Sequence, residues 1–145
     1  MSLPRPDEII PHRPPFLFVD EILELTPGER AVGQWTLTGD EAFFAGHFPG
    51  RPTLPGVLMC EAIAQVGAIA VLTDERYAGK LPLFGGLDGA RFRRQVGPGD
   101  TLVLEAEMTR LSARAGKGAG RALLNGEEAV GCELMFVIVD AEAAS

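Results

Sequence analysis

The sequence contains few of the residues that metal, disulfide and nucleic-acid chemistry require. It has two cysteines, two histidines, and 13 basic against 20 acidic side chains, for a net charge of −7. An acidic surface repels a phosphate backbone, so we expect no nucleic-acid partner. Cys60 and Cys132 lie in apolar stretches without metal-type spacing. We therefore expect two reduced, buried thiols, no metal and a cytoplasmic location.

Motifs for serine nucleophiles and nucleotide cofactors are also missing. GxSxG, Walker A and GxGxxG do not occur, so we expect no cofactor. The longest apolar run, Val57 to Leu72, contains Glu61 and Gln65 and is short for a membrane span. It predicts a buried helix and no membrane span.

The order of predicted elements indicates an α+β fold in a single domain over residues 1–145. Pro55 stands at a favoured helix start, and the helix is predicted over Gly56 to Thr73. Asn125-Gly126 is a strong hairpin signal. Two strands before the helix and four after it predict an antiparallel sheet wrapped around the helix. The predicted strands are Phe16 to Leu25, Arg30 to Thr38, Leu81 to Val96, Thr101 to Leu111, Gly118 to Leu124 and Ala129 to Val139.

One irregular segment, Gly39 to Pro55, combines many glycines and prolines with several aromatic residues. Such a segment packs without regular structure, which suits a functional site. His47 lies within it, and an imidazole can accept a proton at physiological pH. The alternative is a core histidine that is hydrogen-bonded to a carbonyl.

Glu61 is the only charged residue of the predicted helix, and Gln65 lies one turn further along the same face. Burial favours the protonated carboxyl, which a general acid needs. The alternative is a glutamate that reaches solvent or pairs with an arginine. The helix start at Gly56 offers free backbone N–H groups that could polarise a carbonyl, or it is simply a compact helix start.

Several motifs together resemble the FabZ-type 3-hydroxyacyl-[acyl-carrier-protein] dehydratases, in the same order and over nearly the whole chain. The matching stretches are PHRPPFLFVD at 11–20, FFAGHFPG at 43–50, LPGVL at 54–58, EAIAQ at 61–65, ARFRR at 90–94 and VGPGD at 96–100.

The resemblance implies a hotdog fold, in which a curved antiparallel sheet wraps around one long helix. It also implies a homodimer, often assembled as a trimer of dimers, whose sites lie at the interface. His47 and Glu61 of one site would come from opposite subunits, and the Gly56 N–H would meet the thioester carbonyl. FabA-type relatives carry aspartate where this chain has Glu61, which favours plain dehydration over isomerisation.

The expected reaction removes water from a (3R)-3-hydroxyacyl thioester of acyl carrier protein, a step of fatty acid biosynthesis, and gives the trans-2-enoyl product. His47 would remove the C2 proton, and Glu61 would protonate the departing hydroxyl. Gln65 could orient the substrate or be a satisfied interface amide. Two alternatives are a hotdog thioesterase, which would not need His47, and a non-catalytic carrier-binding hotdog protein. The remaining expected substrate contacts are Gly56, Val57, Phe48 and Phe92.

The carrier protein is acidic, as this chain is, so docking requires a local basic patch. Arg91, Arg93 and Arg94 form the densest basic run, and strand alternation predicts that Arg94 faces away from the other two. The alternative is a solvated or internally paired strand. Arg51 and Leu54 stand where many relatives have histidine and methionine, so chain-length preference stays open.

Overall fold

One antiparallel sheet of six strands wraps around a long helix in the computed structural model, which describes residues 3–144. The helix, α2, follows a helical turn α1 and two strands, and four further strands complete the sheet before a final turn α3. The elements are α1 Pro6–Ile9, β1 Glu21–Thr26, β2 Arg30–Thr36, α2 Gly56–Leu72, β3 Lys80–Phe92, β4 Thr101–Leu111, β5 Ala115–Leu124, β6 Glu127–Asp140 and α3 Ala141–Ala144, with 3₁₀ turns at Ala42–Ala45 and Glu75–Tyr77.

The strands lie in the order β1-β2-β4-β5-β6-β3, and each neighbouring pair is antiparallel. The outer strands of the sheet are therefore β1 and β3. Nearly every residue of α2 from Met59 to Val71 is buried, because the helix is apolar almost all round and the sheet surrounds it. This is the hotdog arrangement, so the predicted α+β class is confirmed.

The first predicted strand, Phe16 to Leu25, begins only at Glu21. The side chain of Gln65 explains the difference, because it takes the place of a neighbouring strand. Its Oε1 accepts from Phe18 N–H at 2.8 Å, and its Nε2 donates to Phe16 O at 3.0 Å. The chain at Phe16 is thus hydrogen-bonded to the helix through the Gln65 side chain and does not pair with a neighbouring strand.

The other boundaries differ less. The predicted β4 range is confirmed, and Asn125 and Gly126 both have positive φ, as a tight hairpin turn requires. β3 ends at Phe92 and not at Val96, whose side chain turns into the core. Among residues 3–144, no helix combines the length and apolar character needed to cross a bilayer.

β5 begins at Ala115, earlier than predicted, because its glycines are strand residues that admit close neighbours. A Cβ on Gly120 would lie 2.3 Å from Ile63 Cγ2 and 2.5 Å from the Glu105 carbonyl oxygen. The glycine therefore lets α2 approach the middle of the sheet. Glycine weakens the prediction of a strand from sequence, so neither the start of β5 nor this contact could be predicted.

We predict that Gly120→Ala lowers the free energy of unfolding by about 1–3 kcal/mol, because the rigid carbonyl of Glu105 cannot move aside. Urea denaturation at fixed protein concentration measures this. The control is Gly46→Ala, where no atom lies within 4 Å of the new Cβ and φ is −101°. The control should change stability by less than about 0.5 kcal/mol. Equal effects of the two variants would contradict the packing argument.

Candidate active site

His47 lies in a cleft of about 330 Å³ at the N-terminal end of α2. Its Nδ1 lies 2.8 Å from the carbonyl oxygen of Thr53. A carbonyl only accepts, so the neutral ring carries its hydrogen on Nδ1 and keeps the lone pair of Nε2 free to take a proton. The cleft is lined by His47, Thr53, Leu54, Pro55, Gly56, Val57, Met59, Phe92, Arg94 and Gln95.

The loop that carries His47 is held by its own backbone. Phe48 and Arg51 exchange two hydrogen bonds, of 3.1 and 2.9 Å, and Thr53 N–H donates to His47 O at 2.8 Å. Leu54 N–H then donates to Val96 O at 2.7 Å, which ties the loop to the chain beyond β3. The imidazole is therefore presented on a fixed turn, and its ring stacks on Phe48 with centroids 4.0 Å apart.

The start of α2 places backbone N–H groups in the same cleft. Leu58 N–H donates to Pro55 O at 2.9 Å, but within residues 3–144 neither Gly56 N–H nor Val57 N–H has an acceptor. Both lie at the positive end of a 17-residue helix. Glycine at position 56 leaves room for the Phe92 ring, because a Cβ there would lie 2.5 Å from that ring and the phenylalanine would have to move. The arrangement suits a carbonyl oxygen that gains negative charge.

Glu61 lies in a second cleft, also of about 330 Å³. Its Oε2 accepts from Gln65 Nε2 at 3.0 Å and lies 3.6 Å from His12 Nε2. Burial raises the pKa of Glu61 above its ordinary value of 4.5, and the hydrogen bond from Gln65 opposes that shift. A buried carboxyl that resists ionisation can act as a general acid. Lining residues of this cleft are Pro11, His12, Phe16, Glu61, Ala64, Gln65, Ala68, Leu81, Pro82, Leu83 and Phe84.

The two clefts have no lining residue in common, so His47 and Glu61 of one chain line separate clefts. His12 belongs to the Glu61 cleft and was not among the expected site residues. Its position in the PHRPPF stretch is the only signal in the sequence that could have indicated it.

The other expected site residues divide into three groups. Gly56, Val57 and Phe92 line the His47 cleft, and Phe48 stacks on the histidine ring. Gln65 is only 1% exposed and makes three hydrogen bonds, to Phe16 O, Phe18 N–H and Glu61. Its polar atoms are therefore occupied by the protein, which matches the satisfied amide of the two alternatives.

The arginine run is the third group. β3 ends before Arg93 and Arg94, so strand alternation does not govern them. Arg93 Nε pairs with Glu128 at 3.1 Å, and Arg94 pairs with Glu127. Arg91 makes no ion pair within the described part of the chain. The run is thus partly neutralised by the first two residues of β6.

Comparison with known proteins gives the family. Residues 10–133 match the family model described as a FabA-like domain. The 3-hydroxyacyl-[acyl-carrier-protein] dehydratase FabZ of Moorella thermoacetica is 55% identical over 130 residues, which cover 90% of this chain and 91% of that protein. The protein of the same name from Staphylococcus epidermidis is 51% identical over 134 residues, with 92% of each chain covered.

Solved structures agree on the fold. The dehydratase heterocomplex ApeI:P from Xenorhabdus doucetiae matches with a TM-score of 0.80 at 16% identity, covering 97% of this chain and 95% of that chain. The E. coli PaaI protein matches with a TM-score of 0.63 at 15% identity, with 81% of each chain covered. The chain belongs to the FabA-like family of hotdog proteins. Within that family it is a member of the FabZ-type 3-hydroxyacyl-[acyl-carrier-protein] dehydratases.

The raised pKa of Glu61 predicts how stability depends on pH. The folded-state pKa exceeds that of the unfolded chain, so the protonated carboxyl stabilises the fold below about pH 4.5. That contribution is lost as the pH rises through the folded-state pKa. Glu61→Gln should therefore gain stability relative to the wild type as the pH rises from 4.5 through the folded-state pKa of Glu61, measured by urea denaturation at fixed protein concentration.

Glu133→Gln is the matched control, because it removes an exposed carboxylate on β6. It should show no such gain. A stability difference between Glu61→Gln and the wild type that stays constant over this pH range would contradict the burial argument.

Proposed function

We propose that this chain removes water from (3R)-3-hydroxyacyl thioesters carried on acyl carrier protein, with His47 as the base and Glu61 as the acid. One observation carries the assignment of the base: His47 has its Nδ1 bound to the Thr53 carbonyl, and its Nε2 is free in the cleft that holds the Gly56 and Val57 amides. The FabZ-type relatives support the reaction, because they are named 3-hydroxyacyl-[acyl-carrier-protein] dehydratases.

The proposed steps follow from these positions. The thioester carbonyl accepts from Gly56 N–H at the positive end of α2, which acidifies the C2–H bond. His47 Nε2 takes the C2 proton, and the electron pair forms the C2=C3 double bond as the C3–O bond breaks. Glu61 gives its proton to the departing hydroxyl, which leaves as water. Solvent then returns a proton to Glu61 as the His47 imidazolium loses one.

The acyl chain has apolar space beside Glu61. The Glu61 cleft follows the small residues Ala64 and Ala68 along α2 towards Leu81 and Phe84. Phe16 separates it from a larger apolar cleft of about 880 Å³. We propose that the acyl chain of the substrate lies along this face of α2.

We propose further that the complete site needs two chains. In one chain His47 and Glu61 lie in separate clefts. Strand β3 is a sheet edge of 13 residues, and Leu83, Leu87 and Phe92 on it are 44%, 41% and 52% exposed. An unpaired edge with exposed apolar side chains favours contact with a second copy. A homodimer supplies that copy, and the trimer of dimers stays a prediction.

The carrier should approach the His47 cleft, because its thioester must reach the Gly56 amide. Among the described residues, Arg91 is the arginine of this run that makes no ion pair. Arg94 pairs with Glu127 and lines the cleft itself. Arg51 lies at the same rim, where its Nη2 donates to Gln95 at 3.2 Å. These guanidinium groups would oppose the net charge of −7 locally. An acyl carrier partner and two free buried thiols fit a cytoplasmic enzyme.

Substitution of either proposed acid–base residue tests the mechanism. We predict that His47→Ala and Glu61→Gln each lower kcat by about 100-fold or more, the usual contribution of such groups. Formation of the enoyl thioester, followed by its absorbance, measures turnover, and a parallel assay for free thiol detects a thioesterase. Glu133→Gln should keep its activity. Turnover of either variant within a few-fold of the wild type would exclude the assignment.

Mixing the two inactive variants tests the shared site. In a hybrid dimer, one of the two sites would combine an intact His47 from one subunit with an intact Glu61 from the other. We therefore predict that exchange of subunits between His47→Ala and Glu61→Gln restores part of the activity. Mass spectrometry verifies the exchange. Verified hybrids without activity would show that each site is built from a single chain.

A further inference from the structure

His12 is a titratable residue of the Glu61 cleft that the proposed mechanism does not use. Its Nε2 lies 3.6 Å from Glu61 Oε2, and its side chain is 25% exposed. Its Nδ1 is buried and has no hydrogen-bond partner, the only such side-chain nitrogen or oxygen found in residues 3–144. Buried polar atoms are nearly always paired, so an unpaired one beside the proposed acid requires a physical reason.

The backbone around His12 is held by its neighbour. Arg13 Nη1 donates to Ile10 O at 2.9 Å and to His12 O at 2.6 Å. This guanidinium fixes the turn from which the imidazole enters the cleft. The backbone position from which His12 reaches Glu61 is therefore held by the Arg13 side chain.

The unpaired Nδ1 indicates which tautomer is present. Burial, reinforced by the charge of Arg13, lowers the pKa of His12 below its ordinary value of 6.5, so the ring is neutral near pH 7 and carries one hydrogen. An unpaired buried N–H is rarer than an acceptor left without a donor. The hydrogen therefore lies on Nε2, which points at Glu61 Oε2.

Oε2 of Glu61 then faces two donors. Gln65 Nε2 donates to it at 3.0 Å, and His12 Nε2–H approaches it at 3.6 Å, a distance at which the N–H dipole still acts on the oxygen. In the protonated carboxyl, the carbonyl oxygen is the stronger acceptor. Two donors at Oε2 therefore favour the form whose acidic hydrogen lies on Oε1.

We infer that His12 is a positioning residue for Glu61: with Gln65 it holds Oε2, keeps the acidic hydrogen on Oε1, and stabilises the carboxylate that remains after proton transfer. The inference rests on the proposed role of Glu61 as the acid. It explains why a buried imidazole lies beside Glu61 with its hydrogen on Nε2 and its Nδ1 unpaired.

The other groups around Glu61 do not supply this contact. On α2 its polar neighbour is Gln65, and β3 brings the apolar side chains of Leu81 to Phe84 to the cleft. Lys80 pairs with Asp140, and the acidic Asp7 and Glu8 of α1 bond to Arg5. In the described residues, Arg13 is the remaining charge near the pair, and it acts on His12.

The test compares His12→Phe, His12→Gln and His12→Asn in the full chain. Phenylalanine removes the donor, glutamine places an amide nitrogen near the position of Nε2, and asparagine places one near Nδ1. The pKa of Glu61 is followed by carboxyl ¹³C chemical shifts, and kcat is measured against pH. The NMR titration is independent of turnover.

We expect His12→Phe to raise the pKa of Glu61, because it removes a donor that stabilises the carboxylate more than the protonated carboxyl. Turnover requires the protonated acid, so the alkaline limb of the kcat profile should move to higher pH. At the optimum, kcat should fall by a few-fold, and by at most about tenfold, because a dipole 3.6 Å away acts on the carboxylate more weakly than a hydrogen bond would. His12→Gln should restore most of both values, and His12→Asn should resemble His12→Phe.

The possible failures are distinct. An active enzyme whose Glu61 titration is the same in His12→Phe and in the wild type would overturn this inference, even if activity or thermal stability falls. An inactive wild type would instead overturn the proposed function. If His12→Phe does not fold, His12→Gln and His12→Asn make the same comparison, and equal titrations in that pair would also overturn the inference.

Discussion

The buried amide of Gln65 is the interaction on which the candidate site depends. It binds Phe16 O and Phe18 N–H on one side and Glu61 on the other, and it is only 1% exposed. Loss of this amide would leave two backbone groups unpaired in the core, at a cost of about 1–3 kcal/mol each. The same contact keeps the chain near Phe16 against α2 and so closes one wall of the Glu61 cleft.

The sheet fixes the position of α2, and α2 with the loop before it carries the rest of the site. Gly120 lets α2 lie close to β4 and β5, and the Leu54–Val96 hydrogen bond ties the loop before α2 to the chain after β3. The amides at Gly56 and the carboxyl of Glu61 thus belong to one rigid element, whereas His47 belongs to the loop that precedes it. Their relative positions depend on packing that the sheet imposes.

The sequence predicted the element order, the helix and its two polar residues, because apolar periodicity and proline or glycine punctuation are local signals. It did not predict that Phe16 would bond to a glutamine side chain, since that contact joins residues 49 positions apart. The early start of β5 was missed for the same reason, and internal pairing of the arginine run was left as an alternative whose partners, Glu127 and Glu128, could not be named. Each depends on a neighbour that is close only in the folded chain.

Different surroundings act on the proposed base and the proposed acid. In the proposed two-chain site the substrate would lie between them, because an imidazole in direct contact with the carboxyl would compete for its proton. His47 is oriented by the Thr53 carbonyl at one end of α2, and burial in a different cleft raises the pKa of Glu61. His12 can lie beside the carboxyl because its own burial lowers its pKa and keeps it neutral. In the proposed reaction, these surroundings would favour the protonation states that an elimination of water requires.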